Sequence, residues 1–222
     1  RGLGDVYKRQ MLTFGSDPNA KVTKKSKSPL SFHPIALIFG LLSFVSYLVE
    51  GAVGDWSALY LFEDKGIVIE EAVMGVMLFN GTMCIGRLLG NRLGKHLTSK
   101  QVVVGGYLLG SIAMGLIVFL PGHASMYTYL LLGISLAMIV PNLFSAMGEQ
   151  NVIPMTQAVA TSTMLGYMGI LMGPALIGFI AHGTSLTVAF IVLTTLLVVS
   201  AGIGKYAYHL MSKDCGLSEE QI

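Results

Sequence analysis

The sequence predicts an all-α polytopic membrane protein, with six transmembrane helices arranged as two inverted three-helix repeats. Three observations carry that prediction. The chain is 53% hydrophobic and 12% charged with a mean hydropathy of +0.69, whereas soluble domains carry about 25% charged residues. Apolar windows of about 20 residues, the length that crosses a hydrocarbon core, recur to the end of the chain. Polar interruptions fall at corresponding places in two successive groups of three windows. This composition excludes a soluble enzyme, and a formal net charge of +2 gives nucleic-acid binding no electrostatic support.

Taken in order, residues 1–10, RGLGDVYKRQ, have neither an apolar core nor a small-residue cleavage site, so they are not a signal peptide. DVYKRQ resembles the in-frame translation of a transposon end used in sequencing libraries. The first ten residues are expected to be scar, and the native chain to extend further toward its N-terminus. Residues 11–33 read as a polar cytoplasmic linker, with Pro18 and Pro29 as breakers and Lys21, Lys24, Lys25 and Lys27 as a basic cluster.

The bundle is expected over residues 34–206, with about six spans near Pro34–Leu61, Ile67–Gly90, Val102–Leu120, Met126–Gly148, Thr156–Ala181 and Leu186–Tyr206. Residues 207–222 read as a cytoplasmic tail. Lys21 to Lys27, Arg92, Lys95, Lys100, Lys205 and Lys213 fall on one side and Lys65 on the other, which predicts that both termini are cytoplasmic. Trp56, Tyr60, Tyr127 and Tyr129 fall where interfacial anchors are expected. Gly86, Gly90 and Gly94, then Gly106 and Gly110, then Gly169 and Gly173 recur every four residues and predict close helix packing. Pro174 is expected to bend the fifth span.

Two carboxylates, Glu50 and Asp55, lie in or at the edge of the first span, with Gly51 and Gly54 between them. A charged side chain at mid-bilayer costs roughly 2.5–3.5 kcal/mol, so such residues face a partner helix or a water-filled cavity. Gly51 to Gly54 are expected to break the first span, and Pro141-Asn142 to break the fourth. Paired interruptions of this kind point to a site at the repeat interface. Polar residues gather in spans one, two, four and five: Asn80 and Thr82; Asn142 and Ser145; Gln157, Thr161, Ser162, Thr163 and Tyr167. The third and sixth spans carry mainly hydroxyls that can bond their own backbone, which makes them scaffold.

The stretches Glu50-Gly51-Ala52 with Asp55-Trp56-Ser57-Ala58-Leu59-Tyr60, Gly86-Arg87 with Gly90-Asn91-Arg92-Leu93, and Val140-Pro141-Asn142-Leu143-Phe144-Ser145 carry a resemblance. The chain resembles the C-terminal half of a major facilitator superfamily transporter, and within it the bacterial sugar-permease-like branch. The likeness covers about Pro34 to Tyr206. Where an acidic residue is often found in the loop motif, this chain has Asn91. The resemblance implies half of a twelve-helix fold, a missing N-terminal six-helix half as partner, and a bacterial inner-membrane location. It also implies a small, sugar-like solute held between the halves and moved by alternating access; proton coupling is expected from Glu50.

Glu50 is the first candidate for the solute or proton pathway, because burial disfavours a charged carboxyl and lets it exchange a proton between two exposures. Structural pairing is the alternative. Asp55, nearer the outer interface, is left open between function and solvation, and Trp56 between a belt residue and a stacking platform. Asn80, Asn142 and Gln157 serve either a solute or the helices themselves, and Tyr167 faces the same pathway. Arg87, Asn91 and Arg92 form a candidate cytoplasmic gate, with snorkelling to headgroups the ordinary role of Arg87. The histidines do not pair at metal-ligand spacing and the two cysteines, Cys84 and Cys215, have no disulfide spacing, so neither a metal nor a cofactor is expected. Gly51-Ala52-Val53-Gly54-Asp55 nearly matches an intramembrane aspartyl protease motif but lacks a second deep aspartate, and no metalloprotease or hydrolase motif is present. The alternatives to solute uptake are efflux of amphipathic drugs along Met-rich spans, or a non-transporting membrane partner or inactive fragment.

Overall fold

The computed structural model describes residue 30 and residues 33–93, 97–150 and 152–215. Among these the secondary structure is entirely helical. The elements are α1 (Pro34–Glu63), α2 (Ile69–Leu93), α3 (Ser99–Phe119), α4 (Gly122–Tyr127), α5 (Tyr129–Leu136), α6 (Ile139–Glu149), α7 (Met155–Gly183) and α8 (Leu186–Cys215). By length and composition these make 6 candidate membrane spans, with α4, α5 and α6 together forming the fourth. The expected scar, the basic cluster and the end of the tail lie outside the described residues.

Local sequence explains the helix ends. Pro34 opens α1 at a position where its missing N–H costs nothing, and His33 Nδ1 accepts the Ile35 N–H at 3.4 Å. Thr98 and Gln101 form a reciprocal capping box at the start of α3. After α1 the chain turns through Gly66, whose φ of 67° is in the left-handed region, and Ile67 N–H closes back on Leu61 O at 3.1 Å. Lys65 then reaches across to the end of α3, donating to Val118 O at 2.6 Å and Leu120 O at 2.9 Å. Those carbonyls would otherwise lack intrahelical partners. Burial pulls the Lys65 amine below the usual lysine value, and Asp64 beside it opposes that shift.

The packing obeys a two-fold pattern. The first span pairs mainly with the fifth (α1 with α7), the second with the fourth (α2 with α5), and the third with the sixth (α3 with α8). Exchanging spans one, two and three for four, five and six maps this set of pairs onto itself, as inverted three-helix repeats require.

The two expected interruptions turn out differently. The fourth span breaks at Ala137–Met138. Pro141 causes this, since it lacks the N–H that would bond Ala137 O and its ring crowds that carbonyl. The break is clasped from both sides: Gly86 lies against Ala137, and Gly106 against Ser135 O and Ile139. The first span, by contrast, is continuous, and the predicted break at Gly51 to Gly54 is not found. Glycine weakens a helix by only about 1 kcal/mol, which tertiary packing overrides, whereas proline removes a hydrogen bond outright.

Candidate functional site

The site begins with the α1–α7 seam. A Cβ on Gly173 would come within 2.5 Å of Leu48 O, and one on Gly169 would strike Phe44 O, so the two backbones touch along this line. Gly51 returns the contact from the other side, where a Cβ would sit 3.0 Å from Ile170 O. Ile170 O is the carbonyl whose usual donor is removed by Pro174, four residues on. Trp56 completes the seam by donating its indole N–H to Pro174 O at 3.0 Å. The indole is thereby tied to α7.

This seam fixes the direction of the next face of α1. Glu50 lies about 24 Å from the start of the helix and about 20 Å from its end, by the rise of 1.5 Å per residue. Its carboxylate is 12% exposed and meets Arg87 of α2, whose Nη2 is 3.2 Å from both carboxylate oxygens. Arg87 is only three residues from Gly90, where the apolar span ends, and its guanidinium turns to Glu50. Among the described residues it donates to Glu50 alone, through one nitrogen. Its side chain remains 45% exposed.

Tyr47 lies one turn before Glu50, on the same face of α1. Its ring stacks on Tyr167 of α7 with centroids 6.1 Å apart and planes 10° from parallel, and Gly166 seats it. Tyr167 is exposed, as are Met164, Met168 and Leu171 on the turns beside it. The result is a charged pair and an aromatic stack on neighbouring helices, on a face that no other part of the described chain covers. The burial of the spans agrees: 61% of the apolar stretch of α1 is buried, but only 28% in α2 and 22% in α7.

The other candidates fall in different places. Asn80 is seven residues before Arg87, hence on the same face of α2 and about 10 Å away along the axis; its amide donates to Val76 O at 3.0 Å. Asn142 donates to Met138 O at 2.8 Å and so patches the broken fourth span. Thr82 likewise bonds its own helix, at Leu78 O. Gln157 is half-buried in the first turn of α7, roughly 20 Å along the helix from Ile170, which packs on Gly51. Asp55 is exposed and is turned about 140° from Glu50. Asn91 and Arg92 lie in the last turn of α2, and their side chains fall outside the described residues. The structure thus pairs Glu50 with Arg87, sets Tyr167 against Tyr47 one turn along α1 from Glu50, aligns Asn80 with Arg87 on α2, and leaves Asp55, Asn142 and Gln157 apart.

Sequence reasoning missed Tyr47 and the pairing of Arg87 with Glu50. The first was signalled by i, i+3 spacing from Glu50, which puts both on one helical face. The second was signalled by charge, because an intramembrane carboxylate calls for a cation at similar depth.

A bundle of six apolar helices, paired as inverted repeats and carrying a charged pair on its uncovered face, defines a polytopic membrane protein. The comparisons with known proteins agree. No family model matches the chain. An uncharacterized MFS-type transporter of Yersinia pestis is 41% identical over 168 residues, covering 74% of this chain and 43% of that protein. The membrane protein MosC of Rhizobium meliloti is 30% identical over 170 residues, covering 75% and 42%. The fold is similar to that of the E. coli fucose:proton symporter FucP, with a TM-score of 0.69 at 16% identity over 79% of this chain and 43% of that one. FucP in the outward conformation gives 0.67 at 16% identity over 78% and 42%. The chain belongs to the major facilitator superfamily, whose members named here are transporters and not enzymes. It spans less than half the length of each of these proteins.

Proposed function

We propose that this chain forms the C-terminal half-wall of a solute pathway in a proton-coupled secondary carrier. The carrier works by alternating access in a bacterial inner membrane, with both ends of the bundle cytoplasmic. The observation that carries the reading is the Glu50–Arg87 pair at membrane depth on a face left uncovered by α1, α2 and α7. A charged pair is costly against lipid and is retained where it meets a cavity or a partner surface. The missing six-helix half supplies the opposite wall, and rocking of the halves exposes the pair to each side in turn. Tyr167 and Asn80 flank the pair along the pathway, and Glu50 is its proton-exchanging group.

The surroundings of Tyr167 favour one refinement. Met164, Met168 and Leu171 make this side an adaptable apolar wall, which suits a solute with an apolar face better than a bare sugar. The test uses the complete transporter in proteoliposomes loaded with a pH indicator, challenged with hexoses, hexuronates and aromatic acids. At least one solute should drive proton movement, and Glu50→Gln should abolish it. Proton movement unchanged in Glu50→Gln would remove Glu50 from the mechanism; none with any solute would count against a proton-coupled carrier.

A further inference from the structure

We infer that the cargo is an organic acid whose carboxylate competes with Glu50 for Arg87 while its apolar body lies on Tyr167. The inference rests on the carrier reading above and adds the solute class and the coupling step. Three features converge on it. Arg87 holds Glu50 through Nη2 only, at 3.2 Å to each oxygen, so the planar fork of the guanidinium retains donors for a second carboxylate. Its side chain is nearly half exposed, so a solute can reach it. The uncovered face of Tyr167, backed by its stack on Tyr47 one turn from Glu50 and bordered by Met164 and Met168, offers a flat apolar surface beside the pair.

Charge conservation then supplies the coupling. In the empty state Arg87 and Glu50 sum to zero. When a solute carboxylate takes the guanidinium, the displaced Glu50 carboxylate accepts a proton from the aqueous side to become a neutral acid. The loaded state of guanidinium, solute anion and protonated Glu50 also sums to zero. No covalent bond changes beyond the O–H formed at Glu50. Solute without a proton leaves a net negative charge at membrane depth, and a proton without solute leaves a net positive one. Both are disfavoured in the low-dielectric interior, so only the empty and doubly loaded states reorient.

The experiment measures binding and proton uptake together on the purified complete transporter in weakly buffered detergent solution. The probes are benzoate and phenylacetate against benzamide and phenylacetamide, with galacturonate against galactose. The aromatic acids should bind roughly tenfold or more tighter than their amides, each binding event taking up a proton. Glu50→Gln should keep anion binding and lose the proton uptake. Arg87→Lys should weaken anion binding, and the Glu50→Gln/Arg87→Gln double variant, which removes both charges and so leaves neither buried alone, should fold and lose the preference for acids. Amides or galactose binding as well as the acids, no acid binding at all, or acid preference surviving in the double variant would overturn the inference. If a neutral solute binds with Glu50-dependent proton uptake, the carrier reading stands and the acid class falls. If proton uptake accompanies no probe, the reading of Glu50 falls with it.

Discussion

Along α1, the side facing α7 and the side carrying Glu50 are built in different ways. The first is fixed by shape: Gly51, Gly169 and Gly173 bring two backbones into contact, and Trp56 ties off Pro174 O. The second is fixed by charge, with Glu50 held by one Arg87 nitrogen and the Arg87 side chain open to a surface that the rest of the described chain does not cover. A close backbone seam has few alternative arrangements, whereas an ion pair that retains spare donors can exchange partners. The comparison places rigidity on the glycine seam and the capacity to change state on the charged face.

Substitutions can break this contrast, and their expected effects descend in size. Gly169→Leu should be the most damaging, because its side chain would strike the Phe44 backbone and force the helices apart; we expect a loss of about 3 kcal/mol or more, seen as failure to purify folded protein. Arg87→Gln should cost about 1–2 kcal/mol, less than the loss of a fully buried pair because Arg87 is half in the open, while abolishing proton-coupled movement. Its thermal melt should recover partly when Glu50→Gln is added. Trp56→Phe keeps the apolar ring but removes the donor to Pro174 O, for about 1 kcal/mol in a melting series and little change in transport. Asn80→Ala should alter stability by no more than about 0.5 kcal/mol, since its amide only bonds its own helix, yet raise the KM for solute through its place on the face of Arg87. A Gly169→Leu variant that spared folding, or an Arg87→Gln variant that spared transport, would erase the distinction.

The six spans were legible in the sequence because hydrophobic length is a local property that the bilayer dictates. The pairing of spans was legible only through the spacing of small residues, and Gly169 and Gly173 did mark the closest seam. The interruptions were half legible. Pro141 removes a backbone hydrogen bond by covalent structure and its span is interrupted one turn earlier, although α7 runs on through Pro174, whereas Gly51 and Gly54 only lower a propensity that packing restored. Within the site, Glu50 announced itself through the cost of its charge. The pairing of Arg87 with Glu50 was not read, because Arg87 lies close to the span end and a long side chain can turn inward as readily as outward. The roles of Asn80 and Asn142 could not be read from residue type, since an amide within a span serves its own backbone as well as it serves a solute, and only the geometry shows that both bond carbonyls four residues back.

The most direct test of the central claim is thiol labelling of the complete transporter carrying Tyr167→Cys, with Cys84 and other accessible thiols removed. A membrane-impermeant maleimide is applied from each side of the membrane. A face that lines a water-filled, alternately opening pathway should be labelled from an aqueous side and protected when the solute is bound. Labelling only by a lipid-soluble reagent, from neither aqueous side, would place Tyr167 against lipid and contradict the assignment of this face to a solute pathway.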